Sequence, residues 1–454
     1  MRINGHQPAS LVSMIAASYD VVVIGAGVAG LSAARALNGH RVLVLEAGVE
    51  VGGRTRVDVI AGENASMGAG VVYRGTPTDA TVAELGIDTF PVAPDTYSIH
   101  WRGVTVVART LGELVAGLPL DRADRADLLS ALRKISLEYD DYSGHGLKGE
   151  ADELADVSFS EYIGQFRPLV AEILDDLVFA HAMVRAHEIS AKYVLRYLSS
   201  KLVMDASHAG FIRKGMQQIA FSLSDQVAAD IALDHTVTSI LGDGDGYRVT
   251  VESPTGRRSV IAREVIVAVP GPAVRALIPE LPEWKVRALD SIESVSALVV
   301  GVTLAPVPDA PWRNVFFVPV IDGAFDYVCT MRVGPDQDKD APNTWQLGMW
   351  RERARAEMED SDSAIAERWI DGLDAVFPGA KDAVLGWSVA RWPAGFAIAK
   401  SDRRAVLPDA IRAVEGIHFA GDWASESAGT HGSIESGCRA ADEVRARLTP
   451  LATR

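Results

Sequence analysis

Cysteine is scarce in this chain, with two residues, Cys329 and Cys438, in a length of 454. They form no Cys-x-x-Cys pair, so neither a disulfide framework nor a metal site is expected, and the count fits a reducing cytoplasm. Long apolar runs are also missing, and the first residues make a poor secretion signal because their apolar piece is short. We therefore expect a cytoplasmic protein without a transmembrane segment.

Basic residues are outnumbered by acidic ones. Lys and Arg total 44 against 60 Asp and Glu, which gives a formal net charge of −16. This balance argues against nucleic acid or an anionic membrane as a partner. Hydrophobic residues make up 48% of the chain, so a sizeable core can form. At this length we expect two domains, and we interpret residues 1–18 as an N-terminal extension.

The most informative motif is a strand, a glycine turn and a helix near the start of the chain. Apolar residues 21–24 are followed by Gly25-Ala26-Gly27-Val28-Ala29-Gly30 and then by a helical pattern. In a dinucleotide-binding turn, such glycines allow a tight bend, close approach to a pyrophosphate at the helix N-terminus, and close helix packing. Glu46 ends the next strand, where it can accept hydrogen bonds from a ribose hydroxyl. The sequence therefore predicts an adenine-dinucleotide site.

Two later segments indicate which dinucleotide binds. Gly52-Gly53-Arg54 adds flexible backbone and a cation beside the expected phosphates. Far downstream, Phe419-Ala420-Gly421-Asp422 and the small residues of 432–441 predict a short strand, a turn and a second helix N-terminus. NAD does not need a distant second site, whereas the ribityl chain and isoalloxazine of the longer FAD do. We therefore predict FAD.

With these segments the chain resembles the flavin-containing amine oxidase superfamily, which includes amine oxidases, amino-acid oxidases and phytoene-type desaturases. The resemblance extends over nearly the whole length. Its landmarks, in the order of the family, lie at residues 23–30, 45–47, 52–54, 67–70, 213–216, 236–240, 265–270 and 419–422. It implies an α/β fold with a Rossmann-type, glutathione-reductase-like FAD-binding domain, whose parallel sheet carries an antiparallel meander, and a mixed α+β substrate domain.

Both domains are expected to be discontinuous. We place the FAD-binding domain at residues 19–74, 206–277 and 387–446, and the substrate domain at 75–205 and 278–386. Hydrophobic periodicity predicts the main helices of the substrate domain at 122–139, 159–166, 169–183, 189–202 and 362–376. Its strands are predicted at 297–303, 314–320 and 345–350.

The resemblance also implies which residues contact the cofactor. Val237 should reach the adenine, Gly421 and Asp422 the ribityl and phosphate region, and the last helix should begin at Thr430 near flavin N1. A positive helix end there stabilises the anionic reduced flavin. The full predicted set is Gly25, Ala26, Gly27, Val28, Ala29, Gly30, Glu46, Ala47, Gly53, Arg54, Gly68, Ala69, Gly70, Val71, Val237, Ala268, Trp392, Gly421, Asp422 and Thr430.

The expected substrate side departs from the amine oxidases. One position of their aromatic pair falls at Gly429, and the lysine that many relatives carry near flavin N5 has no counterpart in residues 294–298. Trp392 and Phe396 remain as aromatic candidates, or as packing around the flavin. His431 is a candidate base, or a helix-start residue that bonds the backbone.

Cysteine and histidine positions give three further expectations. No cysteine lies in residues 392–398, where the covalent amine oxidases carry theirs, so FAD should be noncovalent. Cys438 is expected to be buried in the last helix. His181 and His187 are expected to be partly exposed.

Three functions remain open at this point. The first is an oxidase that transfers hydride from a C–H next to an amine nitrogen to flavin N5, with dioxygen as the acceptor that yields hydrogen peroxide. The second is a desaturase, dehydroxylase or isomerase of an apolar, isoprenoid-like substrate, because the lysine is missing and Gly421-Asp422-Trp423 resembles that branch. The third is a flavin-bound partner protein without catalysis. Each enzyme would take a small-molecule substrate, and a homodimer is left open.

Overall fold

The computed structural model describes residues 18–91, 96–143, 154, 156–195, 209–313, 315–330, 340–398 and 403–448, without the side chains of 137–143 and 404. The predicted extension, apart from Ser18, and the end of the helix predicted at 189–202 lie outside these residues. Among the described residues, no helix combines the length and apolar character required to cross a bilayer. The chain divides into two compact units, Met1–Gly53 with Ile219–Glu293 and Ala405–Arg454, and Arg54–Gln218 with Ser294–Arg404.

The first unit is built on a seven-stranded sheet. Its strands, in spatial order, are Asp230–Ala232, Val42–Leu45, Ser18–Ile24, Gly256–Val267, Gly246–Ser253 and Thr236–Asp243, with Ile417–Phe419 also paired to Gly256–Val267. The first four and Ile417–Phe419 are parallel, and the remaining two extend Gly256–Val267 as an antiparallel meander. The predicted parallel sheet with a meander is confirmed.

Helices surround this sheet. They are Val28–Ala36, Gly271–Leu277, Glu283–Asp290 and Gly429–Leu448, and there is a 3-10 turn at Asp422–Ala424. Two further helices, Gln217–Gln226 and Arg403–Ile411, begin two residues before the segments of the first unit that start at Ile219 and Ala405. We call Val28–Ala36 the loop helix and Gly429–Leu448 the C-terminal helix. The central strand residues 21–24 are almost completely buried, as their unbroken apolar run predicts for a strand covered on both faces.

The second unit contains a five-stranded antiparallel sheet, which we call the large sheet. Its strands, in spatial order, are Phe317–Pro319, Tyr327–Thr330, Asn343–Trp350, Ser294–Leu304 and Val384–Ala397. Shorter strands are Val57–Ile60, Glu63–Ser66, Val72–Tyr73, Thr89–Pro91, Tyr97–Trp101, Val104–Ala108 and Ala209–Ile212. The helices are Pro77–Glu84, Leu111–Gly117, Arg122–Ser143, Phe159–Ile163, Pro168–Ala182, Arg351–Glu357 and Asp362–Val376, with 3-10 turns at Gly53–Thr55 and Lys381–Ala383.

The unit boundaries differ from the expected domain boundaries at four places. Residues 54–74, 206–218 and 387–404, which we expected in the FAD-binding domain, belong to the second unit, and residues 278–293, which we expected in the substrate domain, belong to the first. Strand Val384–Ala397 pairs along its length with Ser294–Leu304 of the large sheet. The hairpin Val57–Ile60 and Glu63–Ser66 is bonded to that sheet, because the Thr303 and Thr344 hydroxyls donate to Ile60 O and Asn64 O at 3.0 and 3.1 Å.

Candidate functional site

The predicted cofactor residues of the first unit meet at the carboxyl edge of its parallel sheet. Ile24, Val267 and Phe419 are register partners on three adjacent strands. The next residue of each strand continues the alignment, since Ala268 N donates to Ile24 O at 2.9 Å and Ala420 N donates to Val267 O at 3.0 Å. Ligands of open parallel sheets bind at this edge. Gly25, Ala268 and Gly421 are thereby brought together from distant parts of the chain.

The three glycines of the first turn differ in their surroundings. Gly25 has φ +103°, and a Cβ there would lie 2.8 Å from Ala268 O, while a Cβ at Gly30 would lie 1.9 Å from Gly25 O. A Cβ at Gly27 would meet no atom within 4 Å. A tight turn at Gly25, close packing at Gly30 and open space at Gly27 are what a turn that admits a pyrophosphate requires. The residues present therefore fit a dinucleotide.

The loop helix begins directly after Gly27. Among the described residues, no side chain caps this helix start and its first turn carries no acidic residue. The first N–H groups of a helix have no partner within the helix, and the helix dipole makes this end positive. Val28, Ala29 and Gly30 form this first turn, which suits an anionic diphosphate.

Glu46 connects the glycine turn to the following loop. Its carboxylate accepts hydrogen bonds from Ala26 N at 2.7 Å and Gly48 N at 2.8 Å. Each oxygen keeps a second lone pair that a ribose hydroxyl can use. The backbone oxygen of Glu46 accepts a hydrogen bond from His235 N at 2.8 Å. This bond brings Val237, two residues after His235, near the end of strand Val42–Leu45. Ala47 is exposed at the same turn.

The loop helix and the C-terminal helix of the first unit pack side by side and run in the same direction. Near the N-terminal ends, a Cβ at Gly437 would lie 2.3 Å from Ala29 O. Further along both helices, the Arg445 guanidinium donates to Ala36 O at 3.3 Å. Later residues of one helix thus contact later residues of the other, so the helices are parallel and their N-termini lie at the same end. The C-terminal helix begins at Gly429, one residue before the predicted Thr430. His431 is its third residue and is partly exposed.

The turn before the C-terminal helix is fixed by that helix. Gly421 has φ +136°, a conformation that favours glycine. Ser436 Oγ accepts a hydrogen bond from Gly421 N at 2.9 Å. Asp422 is 2% exposed, and the indole N–H of Trp423 donates to Val269 O at 2.9 Å. Backbone and side chain together hold Gly421 and Asp422 at the sheet edge.

In the second unit, four predicted residues converge around one turn. A Cβ at Gly68 would lie 2.1 Å from Arg54 O, and Ala69 N donates to the same oxygen at 3.0 Å. The Arg54 guanidinium lies 3.4 and 3.3 Å from the carbonyl oxygens of Ala394 and Gly395. The indole N–H of Trp392 donates to Met67 O at 2.7 Å. Arg54, Gly68, Ala69 and Trp392 therefore form one cluster.

Two other predicted residues, Val71 and Phe396, have surroundings typical of packing. Val71 contacts the small apolar cluster of Ala209, Phe211 and Phe316, next to partly buried Gly70. Phe396 pairs with Val295 in the large sheet and is partly buried. These contacts leave the predicted roles of Gly70, Val71 and Phe396 as hypotheses.

Comparison with known proteins identifies the family. The sequence pattern of the flavin-containing amine oxidoreductases matches residues 28–445. The chain belongs to this family.

Individual relatives support the assignment. A Mycobacterium tuberculosis protein named AofH, described as a flavin-containing monoamine oxidase, is 34% identical over 58% of this chain and 60% of its own length. The alignment thus spans less than two thirds of that relative. Polyamine oxidase 4 of Oryza sativa subsp. japonica is 26% identical over 94% of this chain and 89% of its own length. A solved triple mutant of putrescine oxidase has a TM-score of 0.75 at 21% identity and covers 95% of this chain and 99% of its own, which shows the fold.

The buried His418 was missed in the sequence analysis. Its Nε2 lies 3.0 Å from Glu264 Oε2 and its Nδ1 lies 2.9 Å from Glu443 Oε2. Burial by itself lowers the pKa of His418, but the two carboxylates outweigh it and the net pKa is raised. A histidine between Ile417 and Phe419 in a buried strand was the available signal, because a buried polar group there requires partners.

A second missed residue is Lys285, which is completely buried. Its ammonium donates to the carbonyls of Asp409, Ala410 and Arg412 at 3.1, 2.6 and 2.6 Å and lies 3.6 Å from the Phe419 ring centroid. Burial, with Arg439 nearby, lowers the pKa of Lys285 to about 7. No local pattern around residue 285 predicts this contact with a helix end more than a hundred residues away.

Two expectations about burial were wrong. Cys438 is exposed, because the C-terminal helix buries its other face, including Ile434, Gly437 and Ala441. His181 is buried at 9% exposure, with its ring tilted against that of Phe317 at a centroid distance of 4.4 Å and Nδ1 2.7 Å from Leu177 O. His187 is exposed.

Proposed function

We propose that this protein is an FAD-dependent amine oxidase with noncovalently bound FAD, and that it oxidises a small-molecule amine at the carbon next to nitrogen, with dioxygen as the acceptor. The observation that carries the proposal is the convergence of two glycine-lined helix N-termini at one edge of the parallel sheet of the first unit. The family membership supports the amine as the substrate class.

The proposed cofactor residues divide their roles according to their chemistry. The loop-helix N-terminus at Gly27, Val28 and Ala29 would bind the diphosphate through backbone N–H groups. Glu46 would accept hydrogen bonds from the adenosine ribose, and its existing bonds to Ala26 N and Gly48 N already orient the carboxylate. The N-terminus of the C-terminal helix, at Gly429, Thr430 and His431, would provide a positive dipole end.

Noncovalent attachment is supported by where the two cysteines lie. Cys329 is buried in strand Tyr327–Thr330, with its Sγ 3.7 Å from Gln346 Oε1. Cys438 is in the middle of the C-terminal helix. Strand Val384–Ala397, in which Trp392 and Phe396 lie, contains no cysteine.

Bound FAD would supply a hydride acceptor at N5 and a route for electrons to dioxygen. The protein's contribution is to orient the substrate carbon, to exclude water and to stabilise negative charge with the helix dipole. The indole N–H of Trp392 is engaged by Met67 O, so we propose that Trp392 acts through its ring surface. His431 is proposed as the proton acceptor of the substrate ammonium.

The test uses the purified protein and a panel of monoamines, diamines and polyamines. We expect a yellow protein whose flavin is bleached anaerobically by at least one amine and which produces hydrogen peroxide in air. Protein stripped of flavin is the control and should produce none. A protein that takes up no flavin would overturn the proposal. Bleaching by apolar isoprenoid-like compounds alone would replace the amine with carbon–carbon chemistry, and a flavin that no substrate bleaches would indicate a partner protein.

A further inference from the structure

One polar side chain of the large sheet has contacts that the proposed roles of Trp392 and His431 do not account for. Gln346 lies in strand Asn343–Trp350 and is 5% exposed. Its amide Nε2 donates to Ser66 O at 2.7 Å and to Gly68 O at 2.9 Å. The amide therefore uses both of its N–H groups on the backbone that leads into the Gly68–Gly70 turn.

The orientation of this amide is determined from its other side as well. Gln346 Oε1 accepts a hydrogen bond from the Tyr327 hydroxyl at 2.7 Å. The Tyr327 ring is stacked between Phe317 and Trp350, with centroid distances of 5.3 and 5.0 Å. A flipped amide would place Oε1 against two carbonyl oxygens, which cannot donate. The aromatic stack therefore holds Gln346 with its N–H groups towards the turn.

Trp392 completes the set of contacts. Its indole N–H donates to Met67 O, so that side chains of the large sheet bind the carbonyls of three consecutive residues, Ser66, Met67 and Gly68. In a planar trans peptide the C=O and the following N–H point in opposite directions. Binding of Met67 O therefore sets the direction of the Gly68 N–H, and binding of Gly68 O sets that of Ala69 N–H, which donates to Arg54 O.

We propose that Gln346 is a positioning residue which, with Trp392, orients the Gly68 N–H as a hydrogen-bond donor to the flavin. This inference rests on the proposed function, because it requires that FAD binds and that Gly68 makes the cofactor contact predicted from the sequence. Gln346 acts through the backbone. Its loss removes the side-chain donor to the carbonyl of buried Ser66 and to that of partly buried Gly68, so the peptide planes of the turn are free to rotate.

The same strand provides a matched control. Thr344 lies two residues before Gln346, on the same face of the strand, and is also buried. Its hydroxyl donates to Asn64 O at 3.1 Å, a bond of the same kind but to the hairpin before the turn. Thr344→Val removes that bond with almost no change of shape. It therefore reports the structural cost of losing a side-chain contact to this hairpin.

The experiment compares Gln346→Met with Thr344→Val and the unmodified protein. After removal of flavin, each protein is titrated with FAD, and the visible flavin absorption and the amide hydrogen exchange of residues 64–70 are recorded. For Gln346→Met we expect the FAD dissociation constant to rise about tenfold or more, a shift of the visible band, and faster exchange at residues 66–70. Thr344→Val should keep the dissociation constant and the band of the unmodified protein.

Each outcome decides one question. If the two variants bind FAD equally well with the same spectrum, Gln346 is merely structural and the inference is overturned. If the unmodified protein binds no FAD, the proposed function itself fails. If Gln346→Met does not fold, Tyr327→Phe replaces it, since this variant keeps the stacked ring and removes only the hydroxyl that orients the amide. It should weaken FAD binding in the same direction, and FAD binding equal to that of the unmodified protein would overturn the inference.

Discussion

At the scale of single residues, the glycines of the first turn are required for different physical reasons. Gly30 is required by packing, since its hypothetical Cβ would overlap Gly25 O, whereas Gly27 has open space around it and an ordinary φ of −73°. The sequence shows only that both are glycine. The structure separates a residue that the folded chain needs from one that a ligand would need.

This difference predicts opposite effects of two alanine substitutions. Gly30→Ala should lower the free energy of unfolding by about 1–3 kcal/mol, because the new methyl group overpacks the contact between strand and helix. Gly27→Ala should leave the stability of flavin-free protein unchanged and raise the FAD dissociation constant about tenfold, because the methyl group occupies the space proposed for the diphosphate. Thermal unfolding and FAD titration measure both. A Gly27→Ala protein with normal FAD affinity would place the diphosphate elsewhere.

At the scale of elements, the first unit depends on how its C-terminal helix is attached. Gly437 allows close contact with the loop helix, and His418 connects the strand Ile417–Phe419 to Glu443 of the C-terminal helix and to Glu264 of the neighbouring strand. Arg447, from the same helix, also binds Glu264 at 2.9 Å. Charge pairs thus keep the helix in register with the sheet edge where its N-terminus is needed.

The His418 contacts predict a pH dependence of stability. Because the pKa of His418 is raised in the folded state, its contribution is fully present below about pH 6.5 and is lost as the pH rises through the raised value. His418→Gln should therefore be less stable than the unmodified protein by about 1–3 kcal/mol at low pH, with a smaller difference at high pH. Denaturant unfolding at several pH values measures this. His187→Gln, at an exposed position, is the control and should show no such trend.

At the scale of the whole molecule, ligand binding and stability are linked. FAD that binds only the folded chain stabilises it by RT ln(1 + [FAD]/Kd), which is about 2.7 kcal/mol at a hundredfold excess over Kd. We expect added FAD to raise the unfolding midpoint accordingly. Protection from hydrogen exchange should be concentrated at residues 25–30, 46–48 and 66–70 and in the turn at 421–430. An unchanged midpoint, or protection elsewhere, would contradict the proposed site. AMP, which lacks the flavin, is the control and should protect only the first two segments.

Much of the first unit could be predicted because its signals are local. The tight turn at Gly25, the buried strand before it and the acid at Glu46 follow from backbone sterics and from hydrophobic runs that a short stretch of sequence displays. The roles of Trp392 and His431 could not be predicted from local signals in the same way. They depend on where a side chain points, and in the case of Trp392 on a bond to Met67 O more than three hundred residues away.

The sequence alone determined the glycine turn and the second glycine-lined helix start, because each depends on neighbouring residues. The parallel sheet with a meander was implied by the resemblance to the family, since its strands pair across hundreds of residues. Only the tertiary structure decided that residues 54–74 belong with the large sheet, that His418 lies between two carboxylates, and that Gln346 holds the backbone before Gly68. Such contacts join groups hundreds of residues apart. They form only after the strands are paired and water is excluded, and no spacing along the chain records them.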